Sequence, residues 1–488
     1  MTLGHIRAFQ ALEPRAPDLL RQYTVATAFV RDGNSRGIAR SEIVREDVGV
    51  SPSAISLRDL PRVRTRDLTQ LGGLIRPGTH RSPLATLGER FVVSPPGLPT
   101  MLVTHDMDDV WALFAAREDF SLGRVLSRLS SHDVVFGTET LIFLDGDEHR
   151  RERRLFAPAF HHQAVLKYEN LITDVVDRIL PGWPVGRPFE FLRAGYDLAI
   201  GVLLGVVFGD TPPDRLDRLR QAVARWFGAI ESRGFLAATM LTPFLGGYTP
   251  PYPPLRRSEA GVDEVILAEI ADRRATGRTG TDVLSRYVGT ESDRHDDPGL
   301  ARNMRGILLG AYETTAITLG WIAALLAGHP EAMAEVDAAA DSGDLDRLDT
   351  YLDAVVAEAM RLRPASPFTG RRAVRDTVIN GVEIPRDAMV IVPILVIHES
   401  PRHYPDPLAF RPERFLGEPP QNRTWLAFGG GPHRCLGAQF ALFEARVMFR
   451  AVLRHRRIEV TPGYVEPPRR LHTGISPAHN ARITLHRR

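Results

Sequence analysis

A single cysteine, Cys435, is the only thiol in this chain of 488 residues, and it lies in the segment FGGGPHRCLG at 428–437. With one cysteine the chain cannot form an internal disulfide, so its fold does not depend on an oxidising compartment. A zinc site is also disfavoured, because zinc is usually held by several cysteine or histidine side chains. The glycines before Cys435 let the backbone pass close to a flat or bulky group. The segment therefore predicts a loop shaped around this cysteine.

The position of Cys435 just before a predicted helix favours an ionised sulfur. The helix is expected to begin near Gly437, and its free N–H groups and positive end favour a thiolate with a lowered pKa. A thiolate can act as a nucleophile with a base such as His433, but catalytic Cys/His pairs are usually distant in sequence. A single thiolate is sufficient as an axial ligand of heme iron. The remaining alternative is a buried, inert cysteine.

Composition excludes few classes but restricts the partners. Hydrophobic residues make up 43% and charged residues 25%, as in folded soluble proteins, and the net charge of +2 gives no indication of a nucleic-acid partner. The longest apolar runs, 198–209 and 316–328, are shorter than the roughly 18 residues of a membrane-spanning helix. The N-terminus has no signal-peptide pattern. We therefore expect no membrane span and a cytoplasmic location.

The chain divides near residue 86. Residues 1–85 have weak periodicity and predict a partly ordered N-terminal extension, although 46–60 faintly resemble the turn and second helix of a helix-turn-helix. Residues 86–488 predict one large domain, mainly α with a minor β-sheet region. Its longest helical pattern runs from Gly299 to Gly328, and Asn380-Gly381 predicts a β-hairpin.

The cysteine segment resembles the heme-binding signature of the cytochrome P450 family. The resemblance extends over roughly 400 residues, from about residue 88 to the C-terminus. It implies a cytochrome P450 fold, heme b as cofactor and the cysteine as the ligand of the iron. It also implies that the phenylalanine packs beside the thiolate and that the histidine meets a heme propionate. The matching residues are Phe428, Gly429, Gly431, His433, Cys435 and Gly437.

Further motifs agree with this resemblance and extend the predicted site. The EAMR motif and the FRPERF motif imply a buried network of Glu358, Arg361 and Arg414 that holds the cysteine loop. His149 and Arg153 lie four residues apart on one helix face, and the family uses this pair to bind a propionate. The neighbouring arginines of this helix, which we expect to face solvent, could dock an acidic electron donor: Arg150, Arg151 and Arg154.

An arginine that enters a strand in the GRRAVRD motif is expected to point at a propionate. The distance to Asp376 favours Arg371 over Arg372 for this role, although a strand register is easily shifted by one residue.

The long helix carries the expected proton-delivery pair, Glu313 and Thr314. In the family a small-Gly-x-acid-Thr pattern opens the helix above the heme, and here Ala311 replaces the usual glycine. The pair implies proton delivery to dioxygen through a hydroxyl and a carboxyl. The alternative is that the Thr314 hydroxyl only donates a hydrogen bond to the backbone carbonyl one helical turn before it. The Tyr312 side chain is expected to point away from the heme and to pack against other side chains of the protein.

The resemblance implies a bacterial-type soluble monooxygenase that inserts one oxygen atom from dioxygen into a hydrophobic small molecule. The chain carries no flavin or iron–sulfur signature, so a separate ferredoxin or flavodoxin with its reductase is implied. The pocket is expected to be lined by 120–142, 226–250, the helix before Gly310, 364–368 and a loop near 472–476. The open alternatives are an oxidative cross-linking or isomerising enzyme and a non-catalytic heme-based gas sensor.

Overall fold

The structure, a computed structural model, has long helices as its main component and four small sheets beside them. The prediction of a mainly α fold with a minor β region is confirmed. The residues that the structure describes are 55–63, 87–95, 99–130, 135–209, 211–242, 245, 248–290, 296–417, 420, 423–470 and 474–488.

Fifteen α-helices are present in the described part of the chain. They are α1 Met107–Ala115, α2 Gly123–Ser130, α3 Gly146–Phe156, α4 His162–Leu166, α5 Glu169–Ile179, α6 Phe191–Phe208, α7 Pro213–Ile230, α8 Arg233–Leu241, α9 Pro253–Thr276, α10 Val283–Thr290, α11 Asp297–Gly328, α12 Pro330–Asp341, α13 Leu345–Leu362, α14 Ile394–His398 and α15 Ala438–Leu453.

The strands of the described residues form four sheets. They are β1 Ile55–Ser56, β2 Arg90–Val93, β3 Met101–Thr104, β4 Phe120–Ser121, β5 Pro188–Glu190, β6 Thr369–Ala373, β7 Thr377–Ile379, β8 Val382–Ile384, β9 Met389–Val392, β10 Arg456–Ile458, β11 Pro468–Arg470, β12 Ile475–Pro477 and β13 Arg482–Arg487. The largest sheet has the order β2-β3-β9-β6-β4, and only its β3–β9 pair is parallel. The others have the orders β1-β8-β7, β10-β13-β5 and β11-β12.

Helix α11 is the central element and confirms the predicted long helix. Its 32 residues reach about 48 Å at 1.5 Å per residue. Asp296 caps its start by accepting a hydrogen bond from the Gly299 N–H at 2.8 Å, and the helix ends before Pro330. The helix is continuous through Ala311, the position where the family pattern has a glycine. It packs along α6, α9 and α13, which brings residues from distant parts of the chain to its faces.

Two helices, α6 and α11, are long and apolar enough to cross a membrane by length and composition. These helices are longer than the uninterrupted apolar runs of the sequence, 198–209 and 316–328, because they also include polar residues. The most apolar windows of the two helices are 78% and 67% buried inside the protein, and the helices pack against each other. Their apolar surface forms the core, as expected for a helix that is hydrophobic on nearly all faces.

The predicted hairpin is present between β7 and β8. Asn380 and Gly381 occupy its turn with φ values of 42° and 80°, which the two residue types tolerate best. The stretch before the domain also contributes a strand, since β1 pairs with β8 in parallel and Arg62 bridges to Val92. Residues 55–60 are strand and turn, so they contain no second helix of a helix-turn-helix. Most of the predicted extension, 1–54 and 64–86, lies outside the described residues.

Candidate active site around Cys435

The loop before α15 holds Cys435 through backbone hydrogen bonds. The Cys435 N–H donates to the Phe428 carbonyl at 3.0 Å, so the loop folds back on its own start. Gly431 has a φ of +69°, and a Cβ at this position would lie 2.6 Å from the Phe114 carbonyl oxygen. Only glycine meets both requirements, which explains the glycine run. The loop is thereby fixed on the end of α1.

The Cys435 side chain is accessible to solvent and at the same time closely surrounded by protein atoms. Burial raises the pKa of its thiol above the ordinary value, while the Gly437 N–H and the guanidinium groups of Arg434 and Arg153 act in the opposite direction. The expectation that the helix end lowers this pKa was wrong for the protein alone, because burial outweighs the start of α15. A bound cation would supply the charge that a thiolate requires here.

Phe428 lies beside the cysteine backbone, at the start of the loop. Its ring packs edge-on against Trp425 at 5.5 Å, and the Arg434 guanidinium lies over it at 6.0 Å. The ring is therefore held between an aromatic and a cationic neighbour.

Histidine and arginine side chains from three elements meet at one cleft. The rings of His149 in α3 and His433 in the loop lie 4.1 Å apart, and both line the cleft together with Arg371 of β6. Burial lowers the pKa of His149 to about 3, and the positive neighbours add to this effect. His433 Nε2 lies 3.4 Å from Asp145 Oδ1 at the start of α3. Three of the predicted residues are therefore brought together.

Arg371 and Arg372 point to opposite sides of β6. Arg371 is buried at 5% exposure, and its guanidinium donates to the Gly370 carbonyl at 2.8 Å and lies over the Phe114 ring. No carboxylate of the described residues pairs with it, and burial lowers its pKa to about 10. Arg372 instead pairs with Asp387 at 3.0 Å. The alternation of a strand thus places Arg371, the residue favoured by the sequence, at the cleft.

Arg153 is the second cation at this site without an acidic partner. Within the described part of the chain it forms no ion pair, and burial lowers its pKa, while Cys435 acts to raise it. A half-buried cation is costly when no anion joins it. A flat group that carries two carboxylates and a thiolate-binding metal, as heme does, would fit the side chains that are present.

The exposed face of α3 is basic, as predicted. Arg150, Arg151 and Arg154 are all exposed, and Arg150 pairs with Asp147 on the same helix. The arginine-rich helix therefore divides into a buried side with His149 and Arg153 and a solvent side.

The predicted acid and alcohol lie side by side on α11. Glu313 is buried at 5% exposure, Thr314 is partly exposed, and Gly310, one turn before it, is exposed. The Thr314 hydroxyl donates to the Gly310 carbonyl at 2.8 Å. The hydrogen bond to a carbonyl one turn back, which the sequence left open as an alternative, is therefore present. Its oxygen keeps lone pairs that can accept a hydrogen bond. Tyr312 packs against Phe227 and Tyr196, as expected.

A buried ion-pair network connects α13 to the segment before the cysteine loop. Arg361 donates to both carboxylate oxygens of Glu358 at 2.7 and 2.8 Å, and Arg414 donates to the same carboxylate at 3.2 Å. Arg361 also donates to the carbonyls of His398, Pro407 and Ala409. The predicted bidentate network is confirmed. Arg361 therefore binds three backbone carbonyls in addition to the Glu358 carboxylate.

Two polar residues near the site were missed by the sequence reasoning. Asp145 approaches His433, and Glu444 of α15 is fully buried beside Thr315 at 3.5 Å. Burial raises the pKa of Glu444 to about 8. A glutamate within the apolar face of α15, between Phe443 and buried Val447, was the signal that could have revealed it.

The described parts of the predicted pocket wall meet around α11. Gly306 lies against Thr140, and a Cβ at Gly474 would come within 1.8 Å of the Ala365 carbonyl oxygen. The segments 120–142, 364–368 and 474–476 therefore approach the same helix or each other. Residues 131–134, 243–244, 246–247 and 472–473 of the predicted wall lie outside the described residues.

Comparison with known proteins identifies the family. The sequence profile described as Cytochrome P450 matches residues 87–484. A protein of Mycobacterium tuberculosis named cytochrome P450 135B1 is 32% identical over 409 residues, which cover 82% of this chain and 84% of the relative. Another from the same organism, named cytochrome P450 137, is 32% identical over 377 residues, or 76% and 75% of the two chains.

Solved structures show the same fold. The heme domain of cytochrome P450DA superposes with a TM-score of 0.72 at 19% identity and covers 89% of this chain and 98% of that one. The retinoic acid-bound cyanobacterial CYP120A1 gives 0.68 at 20% identity, with 84% and 94% covered. With the profile match over most of the chain, these likenesses show that the chain belongs to the cytochrome P450 family of heme-containing monooxygenases.

Proposed function

We propose that this protein inserts one oxygen atom from dioxygen into an apolar C–H or C=C bond of a hydrophobic small molecule. The observation that supports this most strongly is the cleft where His433, two residues before the accessible Cys435, meets His149 and the buried Arg371, which forms no ion pair with the described residues. Glu313 and Thr314 of α11 add the groups that handle protons.

The cleft residues divide between the iron and the acid groups of heme b. Cys435 is the proposed ligand of the iron, and Phe428 shields the sulfur. The cationic and imidazole side chains are proposed to bind the two propionates: His149, Arg153, Arg371 and His433. Arg371 and Arg153 compensate the carboxylate charges, since their guanidinium groups donate paired hydrogen bonds. Asp145 orients His433.

Replacement of Arg371 tests the propionate assignment. We expect Arg371→Gln to weaken hemin binding about tenfold or more, because one charge-assisted hydrogen bond and the charge compensation are lost. The matched control is Arg372→Gln on the opposite face of β6, which removes only the surface pair with Asp387. Hemin titration followed by absorbance measures both variants. Equal affinities in the two variants would contradict the assignment.

When bound, the heme supplies the activation of dioxygen. Thr314 and Glu313 supply the proton handling. Because the Thr314 hydroxyl donates its proton to the Gly310 carbonyl, its oxygen can accept a hydrogen bond from another group. Glu313, the next residue along the chain, places a carboxyl group in a buried position, where it can take part in proton transfer.

Removal of the Thr314 hydroxyl is expected to uncouple electron consumption from product formation. Thr314→Ala should bind substrate normally, form hydrogen peroxide, and reduce coupled product about tenfold or more, since a proton-relay contact is lost. Thr314→Ser retains the hydroxyl and serves as the control. The measurement is peroxide and product per reduced nicotinamide consumed. Tight coupling in Thr314→Ala would remove this residue from the mechanism.

Electrons are proposed to come from a separate ferredoxin or flavodoxin. The exposed arginines of α3 present a basic surface on the helix that also carries His149 and Arg153. An acidic carrier would be attracted to this face, and its docking would weaken with rising salt. We also propose a cytoplasmic location, where such carriers and reduced nicotinamide are present.

The decisive experiment is a substrate screen followed by product mass. Fatty acids, terpenes, steroids, macrolides and retinoids are tested for a shift of the heme absorbance, the last because one structural relative is described as bound to retinoic acid. Binders are then incubated with ferredoxin, reductase and reduced nicotinamide. A mass gain of one oxygen supports monooxygenation. A loss of two hydrogens or an unchanged mass indicates cross-linking or isomerisation, and no substrate-dependent consumption indicates a gas sensor.

A further inference from the structure

A buried acid lies on the inner face of α3, between the two proposed propionate-binding residues of this helix. Glu152 is 6% exposed and stands three residues after His149 and one before Arg153. Its Oε1 accepts hydrogen bonds from the Tyr287 hydroxyl of α10 and from the Asn303 amide of α11, the latter at 3.0 Å. The Asn303 amide nitrogen and the Tyr287 hydroxyl oxygen also lie 3.3 Å apart. The three side chains form one group, which we call the Glu152 cluster.

The Glu152 cluster lies where α3, α10 and α11 meet. Tyr287 and Asn303 are both buried, so the hydrogen bonds of the cluster are closed off from solvent. The Tyr287 ring also stacks on Phe156 of α3 at 5.1 Å, about one helical turn after Glu152. The helix α3 is therefore joined to α10 by a hydrogen bond and a ring contact one turn apart, and to α11 by a further hydrogen bond. Contacts spaced in this way oppose both sliding and rotation of α3.

The inner face of α3 also carries the groups that meet the heme site. Successive side chains on a helix point about 100° apart, so Glu152 and Arg153 face different neighbours. Glu152 faces α10 and α11, whereas Arg153 lies close to Cys435 of the glycine-rich loop. His149, one turn earlier, points between these two directions, and its ring contacts that of His433. A rotation of α3 about its own axis would move all three side chains together.

A small rotation of α3 would be large on the scale of a binding site. The side chains of a helix extend about 5–6 Å from its axis, so a rotation of about 20° moves their ends by about 2 Å. Groups that fix a ligand have to be held within about 0.5 Å of their binding position. The outer side of α3 faces solvent, so its buried contacts determine its rotation. The exposed residues of that side include Arg150, Arg151 and Arg154.

We propose that Glu152 is a positioning residue for heme binding, because it sets the rotation of α3 that presents His149 and Arg153 to the propionates. This inference rests on the propionate roles given under the proposed function, and it adds a residue that does not line the cleft. Without the Glu152 acceptor, the buried Tyr287 hydroxyl and Asn303 amide would lose this hydrogen bond. The cost of leaving buried donors without it would favour a shifted helix.

The rate of heme release from the heme-loaded full chain tests this role. Glu152→Leu retains the buried volume but removes the acceptor, and we expect heme release to be about tenfold faster or more, as for other residues that support a ligand. Glu152→Gln is the matched control. Both donors bind the same oxygen, so an amide oxygen can accept both bonds, and release should stay within about twofold of the parent. Transfer of heme to excess apomyoglobin, followed by absorbance, measures the rate.

Double substitutions separate positioning from a general loss of stability. If Glu152 acts through Arg153, Glu152→Leu with Arg153→Gln should accelerate release by clearly less than the product of the two single effects. Arg371 stands on β6, outside α3, so Glu152→Leu with Arg371→Gln should give the full product. Full products in both pairs, or a parent-like rate in folded Glu152→Leu, would overturn the proposal. Circular dichroism shows whether each variant is folded.

Tyr287→Phe provides a second and milder variant. It keeps the ring on Phe156 and removes only the hydroxyl, and release should be about threefold faster or more. A parent-like rate here would refute the positioning role even if Glu152→Leu did not fold. Parent-like release from both Arg153→Gln and Arg371→Gln would refute the propionate assignment, and the positioning role with it. Fast release from these two arginine variants, but not from Tyr287→Phe or Glu152→Leu, would refute the positioning role alone.

Discussion

Cys435→Ser is expected to abolish the thiolate-type absorbance of the reduced carbonyl complex. A serine hydroxyl stays protonated where a thiol loses its proton to a metal, so the anionic ligand disappears. Monooxygenase turnover should fall more than about 100-fold, since even residues that only support a metal ligand cost 10- to 100-fold when replaced. The absorbance of the reduced, carbon monoxide-treated protein measures the first effect.

The loop around Cys435 allows a clear control for this substitution. Its backbone is held by the Cys435 N–H bond to Phe428 and by the glycines packed on Phe114, and none of these contacts requires the sulfur. Cys435→Ser should therefore retain the circular dichroism and thermal unfolding of the parent apoprotein. An unchanged carbonyl spectrum in a folded variant would refute the ligand assignment.

Arg361→Ala is expected to lower the free energy of unfolding by about 3–5 kcal/mol, as for removal of one partner of a buried pair. The substitution leaves the Glu358 carboxylate buried with only Arg414 as a charged partner at 3.2 Å. It also leaves the carbonyls of His398, Pro407 and Ala409 without this donor. Urea unfolding followed by circular dichroism measures the change.

A surface arginine on the same helix provides the comparison. Arg347 near the start of α13 pairs with Glu335 at 3.4 Å, and both side chains are about half exposed. Arg347→Ala should cost no more than about 1 kcal/mol, because exposed ion pairs contribute little. If Arg361→Ala were equally mild, the network would have no structural role. A large loss of stability together with poor heme incorporation would show that it supports the cysteine loop.

Local patterns predicted the elements well, because their causes are local. Asn380-Gly381 turns β7 into β8 through φ values that these two residues adopt readily, and Pro330 ends α11. The distance to Asp376 favoured Arg371 over Arg372, and it is Arg371 that lines the cleft.

Properties that depend on distant partners were predicted less well. The pKa of Cys435 was expected to be low from the helix that follows it, yet burial by the surrounding chain raises it. Asp145 and Glu444 carry no local motif, and their contacts with His433 and Thr315 bring together residues 129 or more positions apart. Such contacts exist only after the elements have packed.

The sequence by itself determined the glycine-rich loop, the long helix and the pairing of Glu358 with Arg361. Each of these depends on backbone conformation or helical spacing, which act over a few residues. The tertiary structure alone decided which arginines lose their water and their acidic partners around the cleft. Burial and charge compensation are sums over atoms from the whole fold, so no short segment contains them.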